Sequence, residues 1–176
     1  YLIDAPTVLV EKRKNPICDV NKMIAGNKGV KCLPLLLNQS EKDELCNKEP
    51  LAQKYIKKII DSAEFINNIP RYCLWLVDCP PNELRKMPEV LKRVEAVREE
   101  RLSSTDKQAK TLAETPTKFR DTNNPRTAIV VPLVSSERRR YIPIGYIDDS
   151  TIANNKVSMI PDGTLYDFGI LASNVH

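Results

Sequence analysis

The spacing of apolar residues changes once along this chain, near Arg126, and that change constrains the fold more than any single motif. Upstream, apolar residues recur at helical intervals between proline boundaries. Downstream come short β-rich runs over 127–134, 141–147, 156–160 and 164–171, separated by polar or Gly/Pro breaks. Helices first and strands later predict an α+β fold, with a helical N-terminal half followed by a mainly antiparallel β-rich half. Nothing alternates in the βαβ manner that a parallel nucleotide-binding sheet requires. At 176 residues the chain suffices for one domain with its own core, and a subdivision into 1–70 and 71–176 is also compatible with its length.

Several elements can be placed more closely. Residues 1–10 read as a short strand around Pro6, and 15–29 as a loop. Ser40 is placed to cap a helix beginning near Glu41, whose acidic first turn suits the helix dipole. Pro50 suits the first turn of a second helix, with Leu51, Tyr55, Ile56, Ile59 and Ile60 on one face. The run 71–78, RYCLWLVD, lies between prolines without helical spacing and reads as a buried strand with Trp75 in the core. Pro88 opens a helix to about Leu102, with Val90, Leu91, Val94 and Val97 inward. Lys92, Arg93, Arg98 and Arg101 then fall on a solvated face among glutamates, and a short helix follows through Leu112. Arg71, just before the strand, is placed to reach either DNA or a buried carboxylate.

Composition excludes several classes. Apolar residues make up 41% and charged residues 28%, as in a soluble globular domain, and no apolar run is long enough to cross a bilayer. Five cysteines, odd in number and without a CxxC pair, suit neither a disulfide framework nor a zinc site. They are expected to be reduced thiols in a cytoplasmic protein. The chain begins at Tyr1 and stops at His176, which reads as part of a longer protein.

Catalytic apparatus is also missing. Five glycines form no phosphate-cradling motif. Asp78-Cys79-Pro80-Pro81 and Asn123-Asn124-Pro125 lack the aromatic residue that grips a flipped base, and read as turns, as does Asp148-Asp149. The one histidine, His176, is terminal. No catalytic residue, metal or cofactor is expected within this chain.

Charge is concentrated where the pattern changes. Residues 118–140 carry six basic side chains against two acidic, which accounts for the whole net charge of +4. Within this stretch Ser135, Ser136, Glu137, Arg138, Arg139 and Arg140 lie between two expected strands, so they should project from one end of a sheet. Arginine can donate twice to guanine, glutamate can accept from cytosine, and serine can bond base or phosphate. Lys118, Arg120 and Arg126 suit the DNA backbone. The competing reading is a protein-interaction domain whose arginines meet an acidic partner.

The wording of the chain also carries a resemblance. RYCLWLVD, ELRKMPEVLKRVEAVREERLSS, TLAETPTKF, VSSERRRYIPIGYID and TLYDFGILASNVH, in that order, closely resemble the target recognition region of MmeI-like proteins, which are fused type II restriction–modification enzymes and related site-specific DNA methyltransferases. The resemblance implies that 1–176 is a target recognition domain for double-stranded DNA. It also implies a preceding methyltransferase domain in the same polypeptide that modifies adenine N6 with S-adenosylmethionine. The family's base-discriminating positions map onto Ser135, Ser136, Glu137, Arg138 and Arg139, with Arg140 adjoining. The chain departs from the family at Asn27-Lys28-Gly29-Val30-Lys31-Cys32-Leu33-Pro34, where relatives carry a Pro/Gly-Gly-rich approach to a Leu-Leu-Leu run.

Overall fold

The computed structural model describes Lys12 and residues 20–173. The strand expected over 1–10, Cys18 and His176 lie outside the described residues. In chain order the first elements are strand β1 (Ile24–Ala25), a 3-10 turn (Leu33–Leu35), β2 (Leu36–Leu37), helix α1 (Gln39–Lys48), a 3-10 helix (Pro50–Tyr55), β3 (Ile56–Ile60), α2 (Ser62–Asn67) and β4 (Tyr72–Leu74). Then follow α3 (Pro81–Leu84), α4 (Pro88–Leu102), α5 (Lys107–Leu112), β5 (Thr127–Pro132), β6 (Gly145–Asp148), β7 (Thr151–Ala153), β8 (Val157–Pro161) and α6 (Leu165–Leu171).

The class is α+β. One sheet has the order β1-β8-β5-β6 and is antiparallel throughout. The other has the order β2-β4-β3-β7, antiparallel except for the parallel pair β3 and β7. Both sheets take strands from either side of residue 70.

Three local expectations are corrected, and one helix was not expected at all. The apolar spacing from Leu51 to Ile60 is not one helix but a 3-10 helix followed by a strand. β-Branched Ile56, Ile59 and Ile60 suit a pleated surface, and β4 and β7 on either side supply the ladder bonds. Residues 164–171 form α6 rather than a strand, because Thr164 and Asp167 close a capping box. Asn38, not Ser40, caps α1, again through a box with Glu41. The short α2 escaped sequence reading, although Asp61 and Glu64 have the same spacing and form a third box.

Helix α4 spans the expected residues. Its N-terminus has no side-chain cap of its own. Instead the buried carboxylate of Glu49 accepts from the backbone N–H groups of Glu89 (2.6 Å) and Val90 (3.2 Å). Val90, Val94 and Val97 point into the core, whereas Leu91 is exposed. Trp75 is core as expected, edge-on to Phe119 with ring centroids 5.5 Å apart. Burial pushes the thiols of Cys32 and Cys73 up to about 11 and about 12, so both stay protonated and unreactive near neutrality.

Arg101 is the main departure from the expected solvated face. It is 0% exposed and donates to four carbonyl oxygens: Val30 (3.0 Å), Leu112 (2.8 Å), Thr115 (3.0 Å) and Lys118 (2.8 Å). One guanidinium thus ties the end of α4 to the loop before β2, the end of α5 and the segment leading to Phe119. Burial disfavours its charged form and lowers its pKa from the ordinary value. The departing loop 27–34 is fixed at the same place, with Lys31 left-handed (φ 49°) beside the Val30 carbonyl.

The two sheets meet at residues 154–156, between β7 and β8. The Asp61 carboxylate accepts from the Asn154 side-chain amide (3.0 Å) and the Lys156 backbone N–H (3.2 Å). Gly26 passes so close that a Cβ there would lie 2.0 Å from the Asn154 carbonyl oxygen.

Two stability predictions follow from these contacts. Arg101→Met should cost about 3–5 kcal/mol in urea denaturation, because it strands several buried acceptors; a loss below about 1 kcal/mol would mean that water replaces the guanidinium. Gly26→Ala should cost about 1–3 kcal/mol or more through its backbone clash. Gly169→Ala, with nothing within 4 Å of the added methyl, should instead stabilise α6 by about 0.5–1 kcal/mol. The same sign for both glycine variants would contradict the packing described.

Candidate nucleic-acid interface

The connection from β5 to β6 spans residues 133–144, and every residue from Leu133 to Ile142 is exposed. Its root is built into the fold. The Lys156 carbonyl oxygen accepts from the Leu133 N–H (3.1 Å) and from the Ser62 hydroxyl, and that hydroxyl in turn accepts from the Val134 N–H (3.4 Å). At the other root, Gly145 pairs with Val130 across the ladder. A Cβ at Gly145 would lie 2.9 Å from the Phe65 ring of α2, so glycine lets β6 close on that helix.

Within the loop, Ser136 organises a tight turn. Its carbonyl accepts from the Arg139 N–H (3.1 Å) and its hydroxyl from the Arg138 N–H (3.3 Å). The turn carries Glu137, Arg138 and Arg139 outward, and the Arg140 guanidinium stands over the Tyr141 ring at 5.4 Å. Leu133, Val134, Tyr141 and Ile142 flank this polar centre and are all about half exposed or more, at 60%, 65%, 51% and 48%. Apolar side chains in water beside a cluster of cations mark a surface built for contact.

A cleft of about 490 Å³ separates the loop from α2. Ser135, Ser136 and Arg139 line one wall; Asn67, Arg71 and Lys156 are on its other walls. Glu137, Arg138 and Arg140 do not line it. The sequence pointed to the loop and, on the opposite wall, to Arg71, but not to helix α2 that builds the rest of that wall. The signal that locates the wall is the Asp61/Glu64 capping spacing, which marks α2.

The expected phosphate-contacting residues lie apart from the loop. Arg126 is exposed just before β5, so it sits at the other end of that strand, about 23 Å from the loop root at Leu133. Lys118 is exposed while its carbonyl is held by Arg101. Arg120 is ion-paired with Asp121 at 2.8 Å. Burial pushes the Asp121 carboxyl up, but Arg120 and the Lys28 N–H outweigh it and hold the group below its ordinary range.

The remaining polar groups offer little other chemistry. Among the described residues no cluster of His, Cys, Asp and Glu could hold a metal ion, and no helix is long and apolar enough to cross a membrane. Asp78 to Pro81 is the turn from β4 into α3, and Asn123 is held by the Asn27 side chain, which donates to its carbonyl (2.8 Å) and accepts from its N–H (2.6 Å).

Known proteins are similar to the chain over nearly its whole length. The chain is 41% identical over 177 residues to DNA methyltransferase A of Bacillus subtilis (strain 168), covering all of this chain and 20% of that protein. It superposes with a TM-score of 0.90 on the type IIL restriction–modification enzyme MmeI solved in complex with DNA, at 37% identity, covering 98% of this chain and 23% of MmeI. The chain therefore spans about a fifth of the length of the curated relative it matches. The family model described as "MmeI, target recognition domain" matches residues 4–176, and the chain belongs to that family.

Proposed function

We propose that this chain reads the sequence of double-stranded DNA on behalf of a methyltransferase domain in the same polypeptide. The observation that carries this reading is the exposed loop 133–144. It mixes acceptors and forked donors on a rigid root, in a chain whose family takes its name from target recognition. Base-edge contacts fall to Ser135, Ser136, Glu137, Arg138, Arg139 and Arg140, and phosphate contacts to Lys118, Arg120 and Arg126. Arg120, already paired with Asp121, has the fewest free donors and should contribute least.

The parent enzyme is proposed to methylate adenine N6 with S-adenosylmethionine bound outside this chain. The residues present do not fit that cofactor: the five glycines stand apart at 26, 29, 145, 163 and 169, and none adopts the positive φ of a glycine-rich turn. No catalytic step is therefore assigned to them.

Two measurements test the reading. If three phosphates are neutralised, affinity for duplex DNA should fall about fortyfold between about 50 and about 200 mM salt, in a fluorescence titration. An acidic protein partner in place of DNA would leave duplex binding weak at both concentrations. Glu137→Lys combined with Arg139→Asp in the full-length enzyme should change the sequence that is methylated, each lost bidentate contact costing about 1–3 kcal/mol of discrimination. An unchanged methylated sequence with reduced activity would show that these residues support the loop or the backbone contact instead.

A further inference from the structure

The cleft wall facing the loop holds an arginine that is fixed at both ends. The Arg71 carbonyl accepts from the Ile59 N–H (2.9 Å), which locks its backbone beside β3. Its guanidinium donates through Nη1 to Glu64 Oε1 at 2.9 Å. Glu64 is itself held, because its other oxygen accepts from the Asp61 N–H (3.2 Å) in the capping box of α2. The Glu64 side chain is only 12% exposed, whereas Arg71 remains 35% exposed. Among the described residues the rest of the Arg71 fork has no hydrogen-bond partner, and Arg71 lines the cleft that Ser135, Ser136 and Arg139 line from the other side, while also bordering a second cavity beside Leu36 and Pro70.

We propose that Arg71 is a second sequence-reading residue, donating to a base edge of the DNA that the loop contacts, and that Glu64 is its positioning residue. This inference rests on the DNA-reading function proposed above. Arginine presents two parallel donors in a plane, the geometry that matches guanine O6 and N7 in the major groove. A freely rotating arginine must surrender side-chain entropy to adopt that plane, whereas one held by a carboxylate has already done so. Glu64 remains ionised near neutrality: burial pushes its carboxyl up, but backbone N–H groups and Arg71 together hold it below the ordinary range.

The test is selection of duplexes from a randomised pool by the intact protein, comparing the wild type with Arg71→Lys, Arg71→Gln and Glu64→Gln. Lysine keeps the charge and can still pair with Glu64, but it loses the fork. Arg71→Lys should therefore keep its melting temperature while relaxing one position of the enriched sequence. That relaxation should be about five- to 150-fold in discrimination. Glu64→Gln should relax the same position by less. If Arg71→Lys folds and enriches the wild-type sequence unchanged, with affinity lowered equally for all duplexes, Arg71 touches phosphate and the proposal is overturned. It is equally overturned if both Arg71 variants fail to fold, since the residue is then structural. If the wild type enriches no sequence, the DNA-reading function itself fails, and this inference falls with it.

Discussion

Much of the fold turns on the Asp61 carboxylate, which is buried and, among the described residues, has no ion-pair partner and is satisfied by hydrogen-bond donors alone. It holds Asn154 and the Lys156 N–H, and it belongs to the capping box that starts α2. A buried carboxylate demands such donors, because leaving one unmet costs more than any single neutral hydrogen bond contributes. By meeting that demand at residues 154–156, the chain joins its two sheets at the point where β7 gives way to β8. The same junction presents the Lys156 carbonyl that anchors Leu133, the first residue of the loop. The loop is thus free at its tip and rigid at its root, which is how a recognition loop acquires a defined register.

Charge is divided between interior and surface along similar lines. Arg101 and Glu49 are buried and engage backbone groups, so they brace the helical half. On the outside of that half, pairs such as Lys48 with Glu44, Lys54 with Glu83 and Lys92 with Glu89 largely cancel one another. Among the described residues, no ion pair within 4.0 Å engages Lys118, Arg126, Arg138, Arg139 or Arg140. The arginines of the loop are therefore left without an ion-paired carboxylate to offset them, whereas Lys118 and Arg126 are equally unpaired but lie apart from the loop.

Helix α4 was legible because Pro88 and the Val90/Val94/Val97 spacing admit one local solution. The loop was legible because a polar, arginine-rich stretch between β-rich runs has no place in a core. Residues 164–171 were misleading because their composition suits a strand while Thr164 and Asp167, three apart, cap a helix. Cap spacing outweighed apolar content there, and it would also have revealed α2.

The sequence by itself determined the α+β class, the boundaries at Pro50 and Pro88, the exposed arginine loop and the family resemblance, since these depend on local sterics and on residue order. Only the tertiary structure decided that Ile56–Ile60 is a strand, because spacing that fits a helix yields when neighbouring strands offer ladder bonds on both sides. Tertiary structure alone also decided the roles of two arginines in similarly charged surroundings. Arg101 is enclosed by carbonyls, and Arg71 is held by Glu64 at the edge of a cleft. An arginine's role follows from which acceptors surround it and how much water remains, and neither is encoded within a few residues of its own position.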